Sequence, residues 1–193
     1  MLKKMVFASH NKGKIAEIKE MLAPYGIEVL SANDLNLQDV EETGTTFLEN
    51  AKLKAFAAAK EANLPALADD SGLCVDALDG RPGVYSARYA PNRDFDKAMD
   101  MLLIEMAESG KDTRKAHFSC VLVLANPDGT CSSFEGRVDG TIAKEKSGYT
   151  GFGFDPLFVP DGYDKTFAEM GTEEKGKISH RGRAFAKFIA SLS

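Results

Sequence analysis

The sequence predicts an α/β fold with a mixed sheet, arranged as two lobes around a cleft. Three observations carry this prediction. Short apolar strands alternate with amphipathic helices through about the first third of the chain, two β-rich runs joined by a turn follow, and polar clusters sit beside apolar elements throughout. No repeat, low-complexity tract or linker interrupts the chain, so one domain over residues 1–193 is expected.

Each element has its local reason. Residues 4–8 read as a short buried strand, and Ser9-His10-Asn11 turns into a helix. Ile15, Ile18 and Leu22 recur there at helical spacing until Pro24 and Gly26 stop it. Residues 27–30 return as a strand, which completes a β-α-β unit. After an acidic connection, Thr46-Phe47-Leu48-Glu49 has the spacing of a capping box, and the alanine-rich run to Ala62 is helix. Ala66-Leu67-Ala68 is a short strand aimed at a turn, Asp69-Asp70-Ser71-Gly72. Residues 78–92 carry Gly80, Pro82, Gly83 and Pro91 and read as a loop, followed by an amphipathic helix over 96–108. Residues 116–125 and 131–138 are β-rich runs joined by Asn126-Pro127-Asp128-Gly129, a hairpin signal. Residues 147–153 are glycine-rich, and Pro156 and Pro160 bracket another short strand. A last helix starts at Ser179, with Ala184, Phe185, Phe188 and Ile189 as its apolar face.

Composition narrows the function classes. Hydrophobic residues make up 44% and charged residues 27%, a globular balance that argues against disorder. Acids outnumber bases 29 to 24, which speaks against a duplex nucleic-acid binder while leaving room for a small anionic ligand held by a few local cations. No run approaches the roughly 20 apolar residues of a membrane span, and the run Met5-Val6-Phe7-Ala8 is too short for a signal-peptide core. Cys74, Cys120 and Cys131 form no C-x-x-C pair and read as free, mostly buried thiols in a reducing cytoplasm. His10, His117 and His180 make no zinc-ligand spacing.

Four polar clusters are candidates for chemistry. Ser9-His10-Asn11-Lys12-Gly13-Lys14, between strand and helix, suits a phosphate on backbone N–H groups with Lys14 adding charge; an Asn N-cap with solvated lysines explains the same string. Glu41-Glu42-Thr43-Gly44 precedes Asn50 and Lys54, which share a helix face, although an acidic loop beside a solvated helix surface is the plainer account. Asp69-Asp70-Ser71-Gly72 sets two carboxylates at a strand end, where they suit Mg²⁺ or a general base; an Asx-type turn is the alternative. Gly151-Phe152-Gly153-Phe154-Asp155-Pro156 offers rings on which a purine can stack, and Lys175, Lys177, Ser179, His180, Arg181 and Arg183 gather at the start of the last helix. Cations there oppose the helix dipole, which favours anion or base recognition over structure, with an N-cap by Ser179 as competitor. Together these are the parts of a nucleoside triphosphate site.

With those strings in view, the sequence resembles the inosine triphosphate pyrophosphatase family over essentially its whole length. The likeness rests on Ser9 to Lys14, on Glu41-Glu42-Thr43-Gly44-Thr45-Thr46-Phe47 with Glu49-Asn50-Ala51, and on Ala68-Asp69-Asp70-Ser71-Gly72-Leu73. It continues through Pro82-Gly83-Val84-Tyr85-Ser86-Ala87-Arg88, the Gly151 to Pro156 string, Glu174-Lys175 and Ile178-Ser179-His180-Arg181-Gly182. The resemblance implies an elongated two-lobed α/β fold with a central mixed sheet, the active site in the cleft between lobes, and a homodimer. It also implies Mg²⁺-dependent hydrolysis of ITP, dITP and XTP to monophosphate and pyrophosphate, which keeps deaminated purines out of nucleic acid. Carried over by position, Asp70 is the catalytic carboxylate and, with Glu41, a metal ligand. Ser9, His10, Asn11, Lys12, Gly13, Lys14, Lys54, Ser71 and Lys175 hold the triphosphate. Phe152 stacks on the base, with Gly153, Phe154, Asp155, His180 and Arg181 completing its pocket. His10 stands where the family commonly has glycine, and Phe154 where it often has Tyr or Trp; both bear on substrate preference. A nucleotide sensor without turnover, or a phosphomonoesterase with Asp69 or Asp70 as nucleophile, would use the same residues and release different products.

Overall fold

The computed structural model describes residues 2–192, so the two terminal positions of the expected 1–193 domain lie outside the described residues. Six strands form one sheet in the order β2-β1-β3-β4-β5-β6. In chain order they are β1 (Lys4–Phe7), β2 (Glu28–Ser31), β3 (Ala66–Val75), β4 (Lys115–Ala125), β5 (Cys131–Ile142) and β6 (Phe158–Pro160). β1 pairs in parallel with β2 and with β3, while β5 and β6 are antiparallel, so the sheet is mixed as expected. Among the described residues five α-helices accompany it: α1 (Lys12–Leu22), α2 (Phe47–Ala62), α3 (Phe95–Glu108), α4 (Thr172–Ile178) and α5 (His180–Ala190).

Local chemistry explains most boundaries. Asn11 caps α1 by accepting the Lys14 N–H at 3.1 Å, and Gly26, at φ 64°, takes the left-handed turn beyond its end. Thr46 caps α2 through the Glu49 N–H, and Asn63 closes it in the left-handed conformation. Asp94 caps α3 in the same way through Lys97. β5 alternates between exposed and buried positions over most of its length, burying Gly136, Val138, Gly140 and Ile142. The Asn126–Thr130 turn closes the hairpin between β4 and β5, with Asn126 N–H donating to the Thr130 carbonyl.

The chain divides into two compact units that interleave in sequence. The first comprises residues 2–70, Val121–Glu135 and 184–192. Its core packs Val6 against Ala51, Ala55, Ala58 and Ala59 of α2 and against Val121 and Val123 of β4. Alanine at those helical intervals gives α2 a smooth face that can lie close to a sheet. The second comprises Ser71–Cys120 and Gly136–Arg183. Leu73, Met99, Leu102, Phe118, Phe154, Phe158 and Phe167 fill its core.

Four expectations are corrected. The acidic turn after residue 68 does not exist: β3 runs without a break from Ala66 to Val75, so Asp69, Asp70 and Ser71 lie within a strand. The stretch read as a loop at 78–92 contains short 3-10 segments and a cis peptide before Pro82. α4 was not anticipated, because its seven residues are too few to show a period. Of the cysteines only Cys120 is buried; Cys74 is half-buried and Cys131 exposed. Among the described residues no helix is long and apolar enough to cross a membrane.

Candidate active site

The first unit assembles carboxylates and lysines around the end of β1 and the middle of β3. β1 delivers Ser9 and the turn into α1, where Ser9 Oγ accepts the Asn11 N–H at 3.1 Å. His10 points to Asn33, with Nδ1 and Oδ1 2.7 Å apart, while Asn11, Lys12 and Gly13 are exposed at the start of α1. Lys14 is half-buried, and its Nζ lies 2.9 Å from Oδ2 of Asp69, which is almost fully enclosed. The Asn11 cap is therefore present, while Lys14 is paired with Asp69 rather than solvated.

α2 presents Asn50 and Lys54 one turn apart, toward the loop that precedes it. Lys54 Nζ binds Glu42 Oε1 at 3.1 Å, and Asn50 Oδ1 accepts the Gly44 N–H at 2.7 Å. Of the two adjacent glutamates, Glu42 is thus half-buried against Lys54, whereas Glu41 is exposed. Burial works against the Lys54 charge, yet the carboxylates of Asp69, Glu42 and Asp70 hold its pKa above the ordinary lysine value. Asp70 shows the converse. Burial pushes its carboxyl up to about 6; the Lys54 charge pulls the other way, while Glu42 and Asp69 add to the rise.

Such crowding of carboxylates is the setting in which a divalent cation is bound. No group of three or more His, Cys, Asp or Glu that could hold a metal comes together among the described residues. Mg²⁺ needs no such group, since it binds one or two carboxylates and completes its shell with water and phosphate oxygens, and the enclosed Asp70 carboxylate is a donor of that kind. The donor set fits that ion.

The second unit brings together the aromatic and cationic strings. Ser71 follows Asp70 in β3, and its Oγ accepts a hydrogen bond from Arg181 Nη2 at 3.2 Å. The Arg181 guanidinium is buried and lies 5.3 Å from the centroid of the Phe152 ring. Lys175 Nζ lies 4.7 Å from the same centroid and binds Asp155 Oδ2 at 2.6 Å. Asp155 also accepts the Phe152 N–H at 3.0 Å, and a Cβ on Gly151 would fall onto its carboxylate. Asp155 thereby pins the glycine-rich turn and Lys175 at once, and burial pushes its carboxyl above the ordinary range against the pull of Lys175. Gly153, at φ 66°, lets the chain bend between Phe152 and Phe154.

Phe154 faces the core, edge-on to Phe95 at 5.5 Å, so its ring packs rather than projects. His180 is buried and stacks on Phe118, with centroids 4.6 Å apart and planes at 12°. Ser179 accepts the Gly182 N–H at 3.0 Å, so the expected cap is present beside the cations. Sequence reasoning named these lysines and carboxylates without pairing them: Lys14 meets Asp69, Lys54 meets Glu42 and Lys175 meets Asp155. Glu42 and Lys54 lie 12 positions apart and Asp155 and Lys175 lie 20, separations longer than any helical or strand period pairs.

The family model described as the Ham1 family matches residues 5–191. The chain belongs to the Ham1 family. A Bradyrhizobium sp. (strain BTAi1 / ATCC BAA-1182) protein named dITP/XTP pyrophosphatase is 51% identical over 195 residues, covering 95% of this chain and 91% of that protein. A protein of the same name from Zymomonas mobilis is 48% identical, covering 97% and 91%. A Ham1 structure from Coxiella burnetii superimposes with a TM-score of 0.92 at 40% identity, over 100% of this chain and 98% of that one. The Staphylococcus aureus Ham1 protein gives 0.86 at 44% identity, over 98% of each chain. The Ham1 assignment agrees with the resemblance carried by the motifs.

Proposed function

We propose that this Ham1 chain hydrolyses ITP, dITP and XTP to the monophosphate and pyrophosphate, removing deaminated purines from the cytoplasmic nucleotide pool. The observation that carries the reading is the enclosed Asp70 carboxylate beside Lys54 and Glu42, within a chain about half identical to proteins named dITP/XTP pyrophosphatase. Asp70 with the exposed Glu41 would hold Mg²⁺, since Glu42 is engaged by Lys54. When bound, that ion supplies charge neutralisation at phosphate oxygens and polarises the α-phosphorus.

The chain's own residues do the rest. Asp70 orients the attacking water and accepts its proton. The Ser9 to Lys14 turn, Lys54, Ser71 and Lys175 hold the triphosphate, and their charge stabilises the departing pyrophosphate. Phe152 stacks on the base, and donors from His180, Arg181 or nearby backbone face the 6-oxo group. Adenine, with a 6-amino group, would leave those donors unmatched in an enclosed pocket. The resemblance adds a homodimer, which sedimentation at twice the chain mass would test.

Incubation with ITP, XTP, GTP and ATP, with and without Mg²⁺, followed by ion-exchange separation of products, tests the reading. IMP or XMP with pyrophosphate, dependent on Mg²⁺ and sparing ATP, is expected. Inorganic phosphate as the product would favour a phosphatase, and binding of ITP without turnover a sensor.

A further inference from the structure

Asn50 is fully enclosed in α2, and its two polar ends face different parts of the site. One end is committed. Oδ1 accepts the Gly44 N–H at 2.7 Å, and a Cβ on Gly44 would lie 2.7 Å from both Oδ1 and Glu49 Cβ, so only glycine allows the approach. With Lys54 on Glu42 one helical turn later, α2 holds the loop of Glu41 and Glu42 at two points. The other end, Nδ2, is buried and closes no hydrogen bond of normal geometry among the described residues. The Asp70 carboxyl nevertheless feels the Asn50 side chain as a hydrogen-bond donor that favours its charged form, and with Oδ1 turned to Gly44 that donor is Nδ2. A buried amide left without a full partner costs about 1–3 kcal/mol, a cost that a loop anchor alone would not require.

We propose that Asn50 is a positioning residue for the pyrophosphatase reaction. Its Oδ1 end fixes the acidic loop, and its Nδ2 end orients the Asp70 carboxylate, so one side chain sets the loop and the catalytic group relative to each other. The inference rests on the role given to Asp70 above. It adds a residue that touches neither substrate nor metal and acts through the groups that do.

Three variants separate this role from simple loop anchoring. Asn50→Asp keeps the acceptor for Gly44 and removes the donor; Asn50→Ala removes both without adding charge. Glu49→Ala loosens the loop elsewhere, at the Thr45 N–H that Glu49 Oε2 binds at 2.7 Å, and leaves Asn50 intact. The readouts are kcat and KM for Mg²⁺·ITP, Tm, and calorimetric binding of the α,β-imido analogue of ITP with Mg²⁺. Both Asn50 variants are expected to lose kcat by about 100-fold, the scale of a small misplacement of a reacting group, while KM and analogue binding in Asn50→Asp move by less than about threefold. Glu49→Ala is expected to keep kcat within about threefold. Agreement between the aspartate and alanine variants rules out added charge as the cause. A folded Asn50→Ala with kcat within about threefold of the parent overturns the inference, as does a loss that merely tracks Tm and is shared by Glu49→Ala. A parent protein that releases no pyrophosphate would instead fail the reaction itself.

Discussion

At the scale of single residues, charge placement dominates this site. Asp70 is held in a place that resists its ionisation, with a pKa raised from 3.8 to about 6. A raised carboxyl pKa means that the folded chain holds the proton more tightly than the unfolded chain. The associated stability is fully present below pH 3.8 and is lost as pH rises through 6. Asp70→Asn removes the charge and should therefore stabilise the metal-free protein at pH 7.5 by on the order of 1–3 kcal/mol, a Tm rise of roughly 2–10 °C. The difference should close as the pH falls from about 6 toward 3.8, which thermal melts in EDTA across that range will read. The same variant should abolish turnover. A Tm gap that is flat with pH would mean that Asp70 is ordinarily ionised in the folded chain.

At the scale of elements, the junction of α4 and α5 carries Lys175, Ser179, His180 and Arg181 within a few residues, and close backbone approach makes it possible. A Cβ on Gly182 would overlap the Gly176 carbonyl oxygen, which cannot move without shifting α4. Gly182→Ala should thus cost about 1–3 kcal/mol and reduce kcat/KM for ITP. Gly176→Ala, which meets nothing within 4 Å, should be neutral or stabilise by up to about 1 kcal/mol, since alanine favours the helix. Urea unfolding of the two variants side by side checks the opposite signs. β3 is the other decisive element: one uninterrupted strand carries Asp69, Asp70 and Ser71, so their spacing is set by the sheet and not by a mobile turn.

For the whole molecule, stability and function meet in ligand binding. The net charge of −5 gives no general attraction for a polyanion, so the proposed triphosphate binding would draw on the local lysines and a metal. A ligand that binds only the folded chain stabilises it by about 2.7 kcal/mol at one hundred times its Kd. The α,β-imido analogue of ITP should therefore raise Tm in the presence of Mg²⁺. EDTA should remove most of that rise, and an ATP analogue should give a smaller one; differential scanning fluorimetry reads all three. A shift indifferent to EDTA would mean that the lysines alone hold the triphosphate.

Much of this was legible in the residues because it is local. The Asn11 and Thr46 caps act across three positions, the alanine face of α2 repeats over consecutive turns, and the Asn126 to Thr130 turn closes on itself. The motif strings also carried the family, since several uncommon strings in order are readable without coordinates. Tertiary structure decided what depended on distant partners. Asp69-Asp70-Ser71-Gly72 has the composition of a turn, yet β3 continues through it in the sheet beside β1 and β4 while Lys14 answers Asp69. Nothing in Glu41-Glu42 says which glutamate Lys54 will take, nor that Asn50 will reach Gly44. Arg181 finds Ser71 across 110 positions, a separation that no periodicity spans. Caps and helical faces follow from neighbours in the chain, whereas buried charge pairs exist only where folding brings both members together and removes the water that would otherwise separate them.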